Sequence, residues 1–221
     1  MAVDSIRVAV VDDEELVRAG IVSIIGRVDG IDVVAEGASG EDAIAICREQ
    51  AVDVLLIDIK MPGIGGYGAV RTLSKINTEV KVLVVSVFAD DIYPKRLLQA
   101  GAKGYITKAS SKSEMLRAIR SIHQGQHYIC PEIAKAMALK QIDDQSSTVF
   151  DQLSERELQV CLKIISGIKP QEIADDFHLS AKTINSYRYR IFEKLDVNND
   201  VELTHLSIKH GLISLAEDDQ L

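Results

Sequence analysis

The stretch "VDVLLIDIKMPGIGG", residues 52–66, decides the fold. Val54, Leu55, Leu56 and Ile57 form a continuous apolar run with Val52 just before it. A short run of that kind is a strand buried on both faces, the pattern of a parallel sheet. It ends in a carboxylate, Asp58, and Met61-Pro62-Gly63 makes a turn that stops it. An isolated buried charge is costly, so this acid needs compensation from elsewhere in the chain.

Moving outward, similar runs occur at 6–11, 31–35, 80–85 and 104–106. Amphipathic stretches separate them, at about 14–27, 40–50, 66–76, 90–100 and 112–124. Five strand-then-helix units predict an α/β fold, a doubly wound parallel sheet of five strands covered by helices on both faces. Right-handed crossovers leave few topologies. In such sheets chemistry gathers at the carboxyl ends of the strands. Here those ends carry Asp12 and Asp13, then Asp58, Ser86, and Thr107 with Lys108.

Three carboxylates on one rim repel, and one would keep its proton unless a cation intervened. Mg²⁺ is the economical cation, since it takes a few carboxylates and suits phosphate chemistry. A carboxylate can also act as a nucleophile and form an acyl phosphate. Lys108 and the Ser86 hydroxyl are then suitable partners for phosphoryl oxygens.

Residues 131–150, "PEIAKAMALKQIDDQSSTVF", open on proline and turn polar. The first part reads as a short helix and the second as a tether around 142–148. Beyond it the pattern is helical only. Ser154 and Glu157 have capping-box spacing, Gly167 stops that helix, and Pro170 starts the next. Ser180 caps a third helix, and 201–210 makes a fourth between Asp200 and Gly211. Four short helices with tight connections predict an all-α helix-turn-helix bundle. The expected domains are therefore 1–125, a partly helical linker at 126–149, and 150–215.

Composition agrees with a water-soluble globular chain: 221 residues, 47% hydrophobic and 26% charged. No apolar run reaches the ~20 residues that span a bilayer. The start, "MAVDSIRVAVVDDEE", lacks a basic n-region, so a cytoplasmic protein with no membrane partner is expected. Cys47, Cys130 and Cys161 have neither CxxC nor zinc spacing and read as small apolar residues. The five histidines show no metal-binding pattern.

The net charge of −8 speaks against nucleic-acid binding. The local balance differs. From residue 151 on there are eight Lys/Arg and thirteen Asp/Glu, but 180–194 carries Lys182, Arg188, Arg190 and Lys194 against Glu193 alone. Focused charge matters more than the total. A helical wheel puts Ile184, Tyr187, Ile191 and Leu195 on a core face. Lys182, Asn185, Ser186, Tyr189 and Arg190 lie around the other side. Lys182, Arg188, Arg190 and Lys194 are candidates for phosphate, Asn185 and Ser186 for base edges.

Residues 6–124 resemble the receiver domain of two-component response regulators, on "VVDDEE", "LLIDIKMPGIGG", "VVSVF" and "GYITKAS". Residues 150–213 resemble a LuxR-type helix-turn-helix output domain, so the whole chain is similar to NarL/FixJ-type regulators. The stretches "LSAKTINSYRYRIFEKL" and "DVELTHLSIKHGLI" are similar to the GacA/UvrY group in particular. The resemblance implies a flavodoxin-like strand order, 2-1-3-4-5. It implies Asp58 as phosphoacceptor and Mg²⁺ on Asp13, Asp58 and the Lys60 carbonyl, with Asp12 acting through water. Ser86 and Tyr105 would form a switch pair, and Lys108 would pair with the phosphoryl group. Ala109 stands where many receivers have proline after this lysine.

In the output domain the resemblance adds Thr183 to the DNA-facing residues and points to Asn185, Ser186 and Tyr189 for bases. Implied partners are a sensor histidine kinase of hybrid type, promoter DNA with small-RNA genes among the targets, and a second copy after phosphorylation. Two other functions compete. One is a constitutive DNA-binding regulator whose receiver only dimerises; intact Asp12, Asp13, Asp58 and Lys108 speak against it. The other is a Mg²⁺-dependent aspartyl phosphatase, which would want an acid two residues after the nucleophile, where Lys60 stands.

Overall fold

The computed structural model describes residues 5–76, 79–87, 92–142 and 149–210. The chain divides into two units, Met1–Ala138 and Leu139–Leu221. The first alternates strand and helix: β1 (Ile6–Val11), α1 (Glu15–Ile25), β2 (Ile31–Gly37), α2 (Gly40–Glu49), β3 (Val54–Ile57) and α3 (Gly65–Ile76). It continues with β4 (Lys81–Ser86), α4 (Ile92–Ala100), β5 (Gly104–Thr107), α5 (Lys112–His123) and β6 (Tyr128–Ile129), and α6 (Pro131–Ile142) starts in it. The strands pair in parallel in the order β2-β1-β3-β4-β5-β6. All four residues of β3 are buried, as a strand covered on both faces requires.

The expected order 2-1-3-4-5 is present, but the sheet has a sixth strand where a linker was expected to begin. Tyr128 N–H donates to the Lys103 carbonyl and Cys130 N–H to the Tyr105 carbonyl, both at 3.0 Å. Gly104 permits the approach. A Cβ there would lie 3.0 Å from the Tyr128 carbonyl oxygen and 2.8 Å from Leu83 Cδ1.

Register brings the strand ends level. Val11 sits opposite Ile57, Ile57 opposite Val84, and Ser86 opposite Thr107. At the other end of the sheet Arg7 grips Asp53, with Nη2 to Oδ1 at 2.7 Å and Nε to Oδ2 at 3.0 Å. That fork ties β1 to the start of β3, the two strands that end in Asp12 and Asp58. It holds the Asp53 carboxyl at a pKa of about 2. Gly66 fits α3 beneath the rim. A Cβ on it would lie 1.9 Å from the Asp58 carbonyl oxygen, so only glycine can occupy the position.

The second unit opens with a 3-10 turn at Val149–Gln152. It is followed by α7 (Glu155–Ile165), α8 (Pro170–Asp176), α9 (Ala181–Leu195) and α10 (Asp200–Lys209). The expected four helices are all there. Both arms of the Ser154–Glu157 capping box form. Gly167, at φ 77°, ends α7 in the left-handed region. Helix α10 starts at Asp200, one residue before the expected start, because Asn199 caps it by accepting the Glu202 N–H at 2.9 Å. Phe150, Val160, Cys161, Ile173, Ile184, Ile191 and Leu203 are buried and form a core belonging to this unit. Burial of each large side chain contributes ~1.5–3 kcal/mol.

Most of the expected tether at 142–148, the first residues of the expected 90–100 helix, and the domain end at 211–215 lie outside the described residues. Among the described residues no helix is long and apolar enough to cross a membrane.

Candidate functional site

The rim at the carboxyl ends of β1, β3 and β5 gathers one cation and three acids. Lys108 Nζ lies 2.8 Å from Glu14 Oε1, 2.9 Å from Asp12 Oδ2 and 3.3 Å from Asp58 Oδ2. Asp12 is 1% and Asp58 3% exposed. Asp58 Oδ1 accepts the Ile59 N–H at 2.7 Å, which fixes its rotamer and leaves Oδ2 toward Lys108. Asp12 Oδ1 accepts the Glu14 N–H at 2.9 Å, and Arg18 donates to the Asp12 carbonyl at 2.6 Å. Lys108 N–H donates to the Ser86 carbonyl at 2.8 Å, so β4 and β5 place the lysine.

The electrostatics follow from crowding. Burial pushes the Asp58 carboxyl up to about 6; the Lys108 charge opposes that rise and the Asp12 charge adds to it. Burial disfavours the charge on Lys108, but its bonds to Glu14 and Asp12 and the charge of Asp58 outweigh it and raise the pKa. The bond to Lys108 holds the exposed Glu14 carboxyl below its usual range. Burial raises the Asp13 carboxyl against the pull of its own backbone bond.

Carboxylate oxygens of Asp12, Glu14 and Asp58 lie within 4.8 Å of one another. Asp12 Oδ2 is buried, and its partner is the Lys108 ammonium at 2.9 Å. Several hard oxygens converging on one corner make a donor set that fits Mg²⁺. Asp13 is exposed and stands outside this group of three, whereas Glu14 stands inside it. Lys60 is exposed on the loop after β3. Ser86 and Tyr105 are both fully buried, and Ser86 sits in the row next to the lysine.

In the second unit α8, the turn at His178 (φ 53°) and α9 form the helix-turn-helix. Ser180 accepts the Thr183 N–H at 3.1 Å, and the two hydroxyls are 2.8 Å apart. Ile184, Ile191, Phe192 and Leu195 are buried on α9; Tyr187, expected among them, is only half-buried. Phe192 instead closes the other edge of the buried arc, about 140° around the helix from Tyr187. Lys182, Ser186, Tyr189 and Arg190 are exposed, with Tyr189 at 68%. Asn185 is half-buried on the flank. Ser186 Oγ donates to the Lys182 carbonyl at 3.0 Å.

Two of the four expected phosphate ligands are held by carboxylates inside the unit, and a third, Arg190, donates through Nε to the Ser186 carbonyl at 3.3 Å and lies 4.9 Å from the centre of the Tyr187 ring. Arg188 donates to both oxygens of Asp200 at 2.7 Å. Lys194 Nζ is 2.7 Å from Glu157 Oε2 and 3.3 Å from the Gln152 carbonyl.

Comparison with known proteins matches residues 8–120 to the response regulator receiver domain and 151–207 to the bacterial regulatory proteins of the luxR family. Response regulator UvrY of Escherichia coli K12 is 50% identical over 208 residues, covering 94% of this chain and 95% of the relative. The chain is a two-component response regulator with a LuxR-type DNA-binding domain. Response regulator GacA of Pseudomonas viridiflava is 49% identical over 209 residues, 94% of this chain and 98% of that one. Among solved structures, the response regulator ChrA of a heme-sensing two-component system is 30% identical, with a TM-score of 0.54. The match covers 95% of this chain and 100% of that one. RcsB of Salmonella typhimurium shares the fold at 21% identity with a TM-score of 0.70, over 91% of this chain and 96% of that one.

The family and fold expected from the motifs are thus found. The regulator's Glu14, Asp200 and Glu157 contacts to basic residues were not foreseen. Glu14 stands two residues after Asp12 in the same turn, which was the available signal. Glu157 and Asp200 pair across helices, which spacing along the chain does not disclose.

Proposed function

We propose that Asp58 is the phosphoacceptor of this regulator and that a sensor histidine kinase of hybrid type is the donor. The observation that carries this is the Lys108 ammonium 3.3 Å from the free oxygen of a buried, rotamer-locked Asp58. That oxygen attacks phosphorus in a phosphoimidazole. The P–O bond forms, the P–N bond breaks, and the imidazole leaves and takes a proton. Lys108 then balances the phosphoryl charge, and the Ser86 hydroxyl and Tyr105 ring serve as the switch pair.

Mg²⁺ supplies charge neutralisation between acceptor and donor. Asp12, Asp13, Asp58 and the Lys60 carbonyl are the groups that would hold it. The carboxylate oxygens of Asp12, Glu14 and Asp58, within 4.8 Å of one another, support a cation there.

The output domain would bind promoter DNA through α9, with Lys182 and Arg190 toward phosphate and Thr183, Asn185, Ser186 and Tyr189 toward bases. The chain acts in the cytoplasm, as a homodimer once phosphorylated. Turnover of a substrate is not expected: the position two residues after Asp58 holds Lys60 in place of the second acid an aspartyl phosphatase would want.

The test is labelling by a small acyl phosphate. The wild-type chain should take up acid-labile phosphate only with Mg²⁺, Asp58→Asn should take up none, and Asp13→Asn should need more metal. Full labelling of Asp58→Asn would overturn the assignment.

A further inference from the structure

We propose that Arg188 is a positioning residue for DNA recognition, setting the seat of α9 through a forked pair with Asp200 and leaving phosphate to Lys182 and Arg190. This rests on the DNA-binding role of α9 above and deepens it.

The first ground is angular. At about 100° per residue, Arg188 falls inside the arc spanned by the buried Ile184, Ile191, Leu195 and Phe192. Lys182, Ser186, Tyr189 and Arg190 lie on the opposite side of the helix. A cation on the inward arc is not aimed at a duplex that meets the outward one.

The second ground is occupancy. Nε and Nη2 reach separate oxygens of Asp200 at 2.7 Å each. The guanidinium also sits 5.1 Å from the centre of the Phe192 ring. The edge of the guanidinium that would grip a phosphate with two parallel bonds is already filled by a carboxylate, which the outward Lys182 and Arg190 lack among the described residues. The Arg188 side chain is 28% exposed.

The third ground is the place of Asp200. It is the first residue of α10, where a negative charge is favoured by the helix dipole. The pair therefore joins the middle of α9 to the start of α10. Release of either partner would let α9 roll about its axis. A small roll would move Asn185 and Ser186 relative to base edges, and leave the count of nearby phosphates unchanged. Specificity should suffer and salt dependence should not.

The experiment titrates the full chain on a duplex selected by that chain from a random pool, and on a scrambled duplex, across a salt series. The variants are Arg188→Gln, Arg188→Lys, Asp200→Asn, Lys182→Gln and Arg190→Gln, with thermal melts to check folding. Arg188→Gln and Asp200→Asn should each lower the ratio of specific to scrambled affinity by roughly tenfold, about the size of one lost base contact. Their salt slopes should stay at the wild-type value. Lys182→Gln and Arg190→Gln should each reduce the slope by about one.

Arg188→Lys decides the matter, because it keeps the charge and loses the fork. It should fail as Arg188→Gln does. If it binds like wild type while Arg188→Gln loses about one from the slope, Arg188 is a phosphate ligand and the proposal is overturned. Tighter binding by Asp200→Asn to both duplexes overturns it too, since Asp200 would then be competing with DNA. If Lys182→Gln and Arg190→Gln change nothing, α9 does not face DNA. The underlying reading then falls, and the proposal with it. Asp200→Asn keeps the residue's shape, so it remains informative if an Arg188 variant does not fold.

Discussion

Asp58 is held in a state that costs the protein stability. A carboxyl whose folded pKa lies near 6, above an unfolded value near 4, binds its proton more tightly when folded. Folding stability therefore falls as pH rises from about 4 to about 6, and the loss is complete above that window. A shift of this size corresponds to roughly 2–3 kcal/mol. Asp58→Asn keeps the shape and removes the charge. In metal-free buffer at neutral pH, this variant should be more stable than the wild type by up to that amount and unfold at a correspondingly higher temperature. Near pH 4 the two should converge, and Mg²⁺ should close the gap at neutral pH by stabilising the charged form. Equal melting points at neutral pH without metal would refute the crowding account. Asp58 was legible in the sequence as the candidate acceptor, because an acid ending an oily strand demands a reason. Glu14 was not, because an exposed acid in a turn has the usual look of a solvated one.

Among elements, α7 and α9 are joined by Glu157. It is 2% exposed, accepts the Ser154 N–H at 2.7 Å as the arm of a capping box, and meets Lys194 Nζ at 2.7 Å. Burial would raise its carboxyl, but the bonds from Lys194 and Ser154 together outweigh that and lower it. Stability from this group is thus present above the usual glutamate range and is lost as pH falls through the depressed value. Glu157→Gln retains the cap and should cost about 1 kcal/mol; Glu157→Ala loses cap and pair and should cost about 2–3 kcal/mol. Denaturant unfolding over a falling pH series checks both, and the glutamine variant should show the flatter acid limb. The elements themselves were readable from periodicity and caps. The strand β6 was not, since two residues are too few to carry a period. Arg188 lies inward on the same wheel that places Ile184 and Ile191, and its partner Asp200, on another helix, is not visible from spacing along the chain.

Across the whole molecule, the two units have separate cores and opposite tasks. The output unit carries its own buried set, from Phe150 to Leu203, and its own caps. It should fold without the receiver. A receiver that restrains the output unit lowers apparent DNA affinity by the fraction held back. The fragment 148–221 should then bind a selected duplex at least as well as the unphosphorylated full chain at matched salt. Clearly weaker binding by the fragment would assign the main control to pairing of receivers. The net charge, which speaks against DNA, misled only as a sum. In α9 the acid Glu193 is exposed beside Lys194, while Lys182 and Arg190 are exposed on the outward side with no carboxylate paired to them among the described residues.

The pairing of Tyr128–Ile129 with β5 has a practical consequence for anyone who cuts this chain. Residue 125 looks like the natural end of the receiver, because α5 stops at His123 and Gly125 follows in the left-handed region. A protein ending at that point would leave β5 as a bare sheet edge, with the Lys103 and Tyr105 carbonyls no longer capped by the Tyr128 and Cys130 N–H groups. Unprotected edges recruit strands from other molecules. A receiver ending at 125 should self-associate and scatter light at concentrations where one ending at 138 stays monodisperse. Its aggregation would be a product of the cut, easily mistaken for a property of the domain.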